Sequence, residues 1–174
     1  MGKSINRGAI LGLPIICEST GKKMGIVLDI LFEAQDTKIQ GILGSGIGYW
    51  ATDLFVPFDK IKAFGKVAII VGGDSVRGIP TRKSNHLVGR TIISDDGQEL
   101  GEIRNVIFNS EDGEIEGFEI SRGLVDDLLG GRNILPSNYI PHTDGDVIVI
   151  PTEQSMDIKS NNRGIINILS NLKP

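Results

Sequence analysis

Short apolar runs separated by turn residues dominate the chain. In its second half they read as strands at 90–94, 99–109, 114–121, 133–136 and 146–150, with a single turn at 137–140. Thr20-Gly21, Asp96-Gly97, Asp112-Gly113 and Asp144-Gly145 punctuate the runs. Asp-Gly between apolar segments is a strong hairpin signal, because glycine takes up positive φ without steric cost. A set of short strands in about 70 residues must close on itself or sandwich to protect its edges, and a small antiparallel barrel is the expected solution.

The pattern occurs twice. "GKKMGIVLDILF" (21–32) returns as "GQELGEIRNVIF" (97–108). Gly21, Gly25, Phe32, Ile39 and Gly41 recur 76 residues later as Gly97, Gly101, Phe108, Ile115 and Gly117. Upstream, Gly12 and Ile15-Ile16 match Gly89 and Ile92-Ile93 at offset 77, and downstream Pro57 and Ile61 match Pro136 and Ile140 at offset 79. The period exceeds that of solenoid units, so each copy is a small domain in its own right, placed at 8–73 and 84–150 with a linker at 74–83. The linker is glycine-, proline- and polar-rich and lacks periodicity. Residues 151–174 form an extension in which "NNRGIINILSNL" is expected as one short amphipathic helix.

Glycines inside strands, Gly25/Gly101 and Gly41/Gly117, imply close backbone approach or tight bends, and Asp29/Asn105 in mid-strand suits a bulge. The differences between the copies bear on function. Ile26, Leu28 and Leu43 in the first copy become Glu102, Arg104 and Glu119 in the second. Charged residues are almost never fully buried unless paired, so these positions are expected to face solvent. Ile26, Leu28 and Leu43 then form an exposed apolar cluster, which usually marks an interaction surface. It would serve docking of the two barrels, self-association or a partner protein; the competing expectation is that first-copy geometry buries them.

Composition limits other functions. The net charge of −4 is uneven: residues 1–80 hold nine Lys/Arg and seven Asp/Glu (+2), residues 81–150 six and thirteen (−7), residues 151–174 three and two (+1). An acidic chain without a basic cluster is a poor phosphate-backbone binder; Lys22, Lys23, Lys60, Lys62 and Lys66 are the raw material for an RNA-binding alternative. The single cysteine, Cys17, excludes an intramolecular disulfide and fits a reducing compartment, as a small buried hydrophobe rather than a nucleophile. Lys3 and Arg7 before "AILGLPIIC" loosely suggest a secretory signal, but the run is short, is broken by Gly12 and Pro14, and has Ile16 where a small residue belongs. No apolar stretch approaches the ~20 residues of a membrane span. The expectation is a soluble, cytoplasmic protein.

No catalytic or cofactor constellation stands out. His86 and His142 lie at opposite ends of the second copy without metal-ligand spacing. Gly44, Gly46 and Gly48 lack dinucleotide-fingerprint spacing, and Glu111-Asp112-Gly113-Glu114-Ile115-Glu116 suits a solvated hairpin better than a calcium loop. No metal, cofactor or catalytic residue is expected, and an enzyme or small-molecule binder would need a polar-lined pocket at the loop end. The most distinctive loops are "GSGIGYWATDLF" and "SRGLVDDLLGGRN". Loops carry function more often than barrel walls, so Tyr49, Trp50, Leu124, Asp126 and Asp127 join Ile26, Leu28 and Leu43 as candidate partner contacts.

The stretches "LGLPIICESTGKKMGIVLDILFEAQDTKIQGIL…FVPFDKIKAFGKVAIIV" and "LVGRTIISDDGQELGEIRNVIFNSEDGEIEGFEIS…ILPSNYIPHTDGDVIVI" resemble the PRC-barrel family. "SRGLVDDLLGGRNILP" is similar to the second copies of bacterial tandem members. The resemblance covers residues 10–150 and implies two tandem small all-β barrels. The family includes the cytoplasmic domain of the photosynthetic reaction-centre H subunit, a ribosome-maturation factor and stand-alone proteins. The H subunit's membrane helix and the maturation factor's extra N-terminal barrel have no counterpart in this sequence, so neither role transfers by motif. The leading expectation is a non-enzymatic protein-binding barrel protein. An RNA- or ribosome-assembly factor, and an accessory to photosynthetic or other membrane complexes, are the alternatives.

Overall fold

The structure is a computed structural model that describes residues 2–32, 36–46, 53–73, 87–122, 133–139, 145–155 and 159–160. The chain forms two compact units, Met1–Asn85 with Phe108–Ile115, and His86–Ile107 with Glu116–Pro174. The division differs from the sequence repeats in one respect: the hairpin at 108–115 belongs to the second repeat and to the first unit.

The first unit contains β1 (Ser4–Asn6), the one-turn helix α1 (Arg7–Ile10), β2 (Pro14–Cys17), β3 (Lys23–Leu31), β4 (Gly41–Gly46), β5 (Asp53–Pro57), β6 (Ile61–Phe64) and β7 (Ile69–Val71). Its main sheet has the order β5-β4-β3-β2-β7-β6. The two strands at the ends of that order, β5 and β6, are consecutive in the chain and joined by the 3-10 turn Phe58–Lys60. A three-residue turn rises only about 2 Å per residue, so the sheet curls until its two ends meet at this corner. The end strands are linked through this covalent corner, and the sheet itself is not closed by a hydrogen-bonded seam.

The second unit contains β8 (Thr91–Ser94), β9 (Glu99–Asn109), β10 (Ile115–Ser121), β11 (Asn133–Pro136), β12 (Val147–Ile150), the one-turn helix α2 (Thr152–Ser155) and β13 (Lys159–Ser160). The ends of β9 and β10 run into the 108–115 hairpin counted with the first unit. The path β12-β8-β9-β10-β11 repeats β7-β2-β3-β4-β5 of the first sheet, with β13 lying beyond β11, and a 3-10 turn at Ser137–Tyr139 follows β11 as Phe58–Lys60 follows β5. The extension contributes α2 and adds β13 to β11; the helix expected in "NNRGIINILSNL" lies outside the described residues.

Each sheet contains a parallel pair, β2 with β7 and β12 with β8, where an all-antiparallel barrel was expected. The cause is the corner. In the first unit three hairpin reversals carry the chain from β2 to β5, the corner turns without reversing, and the β6–β7 hairpin adds a fourth reversal. An even number leaves β7 running with β2.

The cores are built from equivalent positions. Ile15, Val27, Ile42, Val56 and Ile69 are buried in the first unit, and Ile92, Ile103, Phe118, Leu135 and Ile148 in the second. Each such side chain contributes about 1.5–3 kcal/mol on leaving water. The repeated glycines have repeated reasons. A Cβ on Gly25 would strike the Ser45 carbonyl and one on Gly101 would lie 2.6 Å from the Ser121 carbonyl, while Gly41 and Gly117 meet the carbonyls of Val56 and Leu135. No helix among the described residues is long and apolar enough to cross a membrane. We predict that Gly41→Ala, which drives a methyl into backbone, destabilises the protein by about 2–3 kcal/mol, measured as a lowered urea midpoint at unchanged slope.

Candidate functional site

The middle of β3 departs from regular pairing. Val27 faces Gly44 and Asp29 faces Leu43, so Leu28 is an extra residue between them, a β-bulge. The sequence placed a bend or bulge here from Asp29/Asn105, and the hydrogen bond that accompanies it recurs in the second repeat. The Ile30 N–H donates to Asp29 Oδ1 (2.7 Å), and the Val106 N–H donates to Asn105 Oδ1 (3.0 Å). A short polar side chain satisfies the amide that the bulge displaces, as such side chains do in turns.

The first unit braces its bulge further. Arg7 Nε donates to Asp29 Oδ1 at 2.6 Å and Arg7 Nη2 to Oδ2 at 2.9 Å, a bidentate pair. Its side chains are 15% and 21% exposed, so water screens it only in part. The pair favours the charged guanidinium and raises the Arg7 pKa. The Asn6 side chain caps α1 by accepting from the Gly8 N–H at 2.9 Å. Sequence reasoning treated Arg7 only as part of a signal-like terminus, and no local motif announces a pair with a residue 22 positions away.

Leu28 itself is 48% exposed, the most exposed large apolar residue of β3. Ile26 and Leu43 are half-buried. The register places Ile26 opposite Ser45 and Leu43 opposite Asp29 on one side of the sheet, with Val27, Ile30 and Ile42 buried on the other. In the second unit Arg104 is exposed and paired with Glu102 at 3.1 Å, so two apolar residues of the first repeat are exchanged for a surface ion pair. Glu119 corrects the third expectation. It is 7% exposed, in the same buried polar set as Asn105 and Ser121, and among the described residues every buried side-chain polar atom has a hydrogen-bond partner. A charge at this position thus reports satisfied burial and not solvent, and the inference from Glu119 to an exposed Leu43 does not hold.

Tyr49, Trp50, Leu124, Asp126 and Asp127 lie outside the described residues, as do His86 and His142. Cys17 is 3% exposed. Hydrogen bonds with Ser19, at 3.3 Å, and with Thr20 lower its thiol to about 7. Its repeat equivalent is Ser94, equally buried and accepting from the Gln98 N–H at the same turn, which marks the position as a turn-packing one. Lys22, Lys23, Lys60, Lys62 and Lys66 are exposed, and Lys60 pairs with Asp59 at 3.1 Å. Among the described residues no cluster of three or more His, Cys, Asp or Glu has metal-binding geometry. Three exposed apolar residues were not anticipated: Val67 (79%), and Val147 (40%) and Val149 (49%), which alternate with buried Ile148 and Ile150. The run "VIVI" reads as continuously buried, and only its period of two separates the faces.

Replacing Arg7 by Ala removes two charge-assisted hydrogen bonds, and we expect a stability loss of about 1.5–3 kcal/mol by chemical denaturation.

No curated relative matches the sequence. The family model of the PRC-barrel domain matches it twice, at residues 4–76 and 81–156. Each match spans one copy of the glycine frame. The chain belongs to the PRC-barrel family, as a tandem of two small β-barrel protein-interaction domains.

Proposed function

We propose that the protein is a non-enzymatic adaptor that holds an apolar face of a partner protein against the Leu28 bulge of its first repeat. The observation that carries this reading is the asymmetry between the repeats. At one point of an otherwise shared frame, the first repeat presents a large aliphatic side chain to solvent on a bulge braced by Arg7, and the second presents an ion-paired arginine. Rigid presentation favours binding because less conformational entropy is lost on contact. Ile26 and Leu43, half-buried on the same side, widen the apolar area. The non-enzymatic part rests on the residue inventory: two histidines at separate ends of one repeat and a cysteine in the role of a turn serine.

The test is Leu28→Glu, with Ile26→Lys beside it, in the full chain. Substitution at a half-exposed position is expected to change stability by less than about 0.5 kcal/mol. Capture of protein partners by the tagged chain from its own cells is expected to be lost, while the same capture by an Arg104→Glu variant stays as in the unaltered protein. Undiminished capture by Leu28→Glu would overturn the reading.

A further inference from the structure

The hairpin of the second repeat completes the first unit through bonds that are reciprocal in the repeat. The Ile39 N–H donates to the Gly113 carbonyl at 2.9 Å, and the Ile115 N–H donates to the Thr37 carbonyl at 2.7 Å. Since 39 + 76 = 115 and 37 + 76 = 113, the two bonds are one bond made twice between equivalent segments. At the centre lies the bridge between Lys38 and Glu114, themselves 76 apart. Ile39 and Ile115, beside it, are 3% and 2% exposed. The hairpin is also held on its far side, where the Ser110 N–H donates to the Lys3 carbonyl at 2.9 Å. Phe108, fully buried, meets Phe64 edge-on at 5.4 Å, and Gly113 passes under Phe58.

This is an isologous contact of the kind that joins two-fold dimers, made between two repeats of one chain. A segment whose partner is its own repeat equivalent needs no new chemistry to accept that equivalent from another molecule. The charges restrict the choice. Pairing of like repeats would set Lys38 against Lys38, or Glu114 against Glu114, and like charges directly opposite across a strand pair are destabilising. Only unlike repeats give the Lys38–Glu114 combination.

We propose that the 37–39 edge of the first repeat is a docking site for the 108–115 hairpin of a second copy, so that two chains form a closed dimer by exchanging their second repeats. The exchange preserves every bond described above and changes only the connection between the repeats. Within one chain the hairpin is tethered at an effective concentration of the order of millimolar, so the monomer prevails in dilute protein and the exchanged dimer above that range.

The test uses the full chain with Lys38→Cys and Glu114→Cys, and with Cys17→Ser, the residue found at the equivalent position. Bridged residues in antiparallel strands have Cα atoms about 4.5–5.5 Å apart, within disulfide range. A mixture of isotope-labelled and unlabelled chains is refolded at about 1 µM and at about 5 mM, on either side of the tethering concentration, then oxidised and read by mass spectrometry. The 38–114 disulfide is expected within single chains at the low concentration, and between labelled and unlabelled chains in a closed dimer at the high one. Intrachain disulfide alone at both concentrations, dimers lacking the interchain 38–114 bond, or no 38–114 bond at all would overturn the proposal. The unaltered protein, refolded at the same two concentrations and sized by light scattering, gives an independent reading. A dimer at the high concentration that persists on dilution supports exchange, and monomer at both contradicts it.

Discussion

Two backbone hydrogen bonds, Ile39 to Gly113 and Ile115 to Thr37, hold the first unit together across a sequence distance that no local propensity spans. A domain of about 70 residues buries a limited core and is marginal on its own. The first repeat answers this by enclosing a hairpin from the second. With it come the buried Phe108 ring, packed against Phe64, and the buried Ile115 beside Ile39. The hairpin supplies the first unit with its largest fully buried side chain among the described residues, Phe108, and gives Phe64 an edge-on neighbour. The tandem arrangement is thereby a condition of stability as well as a product of duplication.

The second organising constraint is close approach of backbone to backbone. Gly25 and Gly101 meet carbonyls 76 positions apart in the two repeats, Ser45 and Ser121, and Gly41 and Gly117 meet Val56 and Leu135. Such contacts let a short sheet curl tightly enough for its end strands to meet at a 3-10 corner. They were legible in the sequence because geometry, unlike surface chemistry, is conserved between the copies: the glycines, Pro57/Pro136 and the alternating aliphatics keep their spacing. The strand limits of the second repeat were legible for the same reason, down to the turn at 137–139.

What escaped the sequence depended on contacts between distant residues. Arg7 gave no sign of its carboxylate partner, since ion pairs carry no spacing rule outside helices. Glu119 misled, because a charged residue was taken to report solvent and here reports a buried position whose polar atoms are satisfied. Burial of a charge is rare but permitted when hydrogen bonds replace water. The parallel pair in each sheet also escaped, because a corner that turns without reversing looks, residue by residue, like an ordinary hairpin turn. Leu28 stands between the two classes. Comparison of the repeats singled it out, and only the bulge, which shifts its pairing and lifts it from the sheet, explains its exposure.

The claim at the centre of this account is that the 37–39 and 113–115 segments are bonded to one another and are as stable as the barrel they complete. Amide hydrogen exchange of the native full chain, followed residue by residue by NMR, tests it most directly. Core amides open only with global unfolding, whereas loop amides exchange freely. The account predicts that Ile39 and Ile115 are protected to the same degree as Val27 and Ile103, buried strand residues whose amides donate to the carbonyls of Leu13 and Arg90. Exchange of Ile39 and Ile115 at the rate of exposed loop amides, with Val27 and Ile103 still protected, would contradict it.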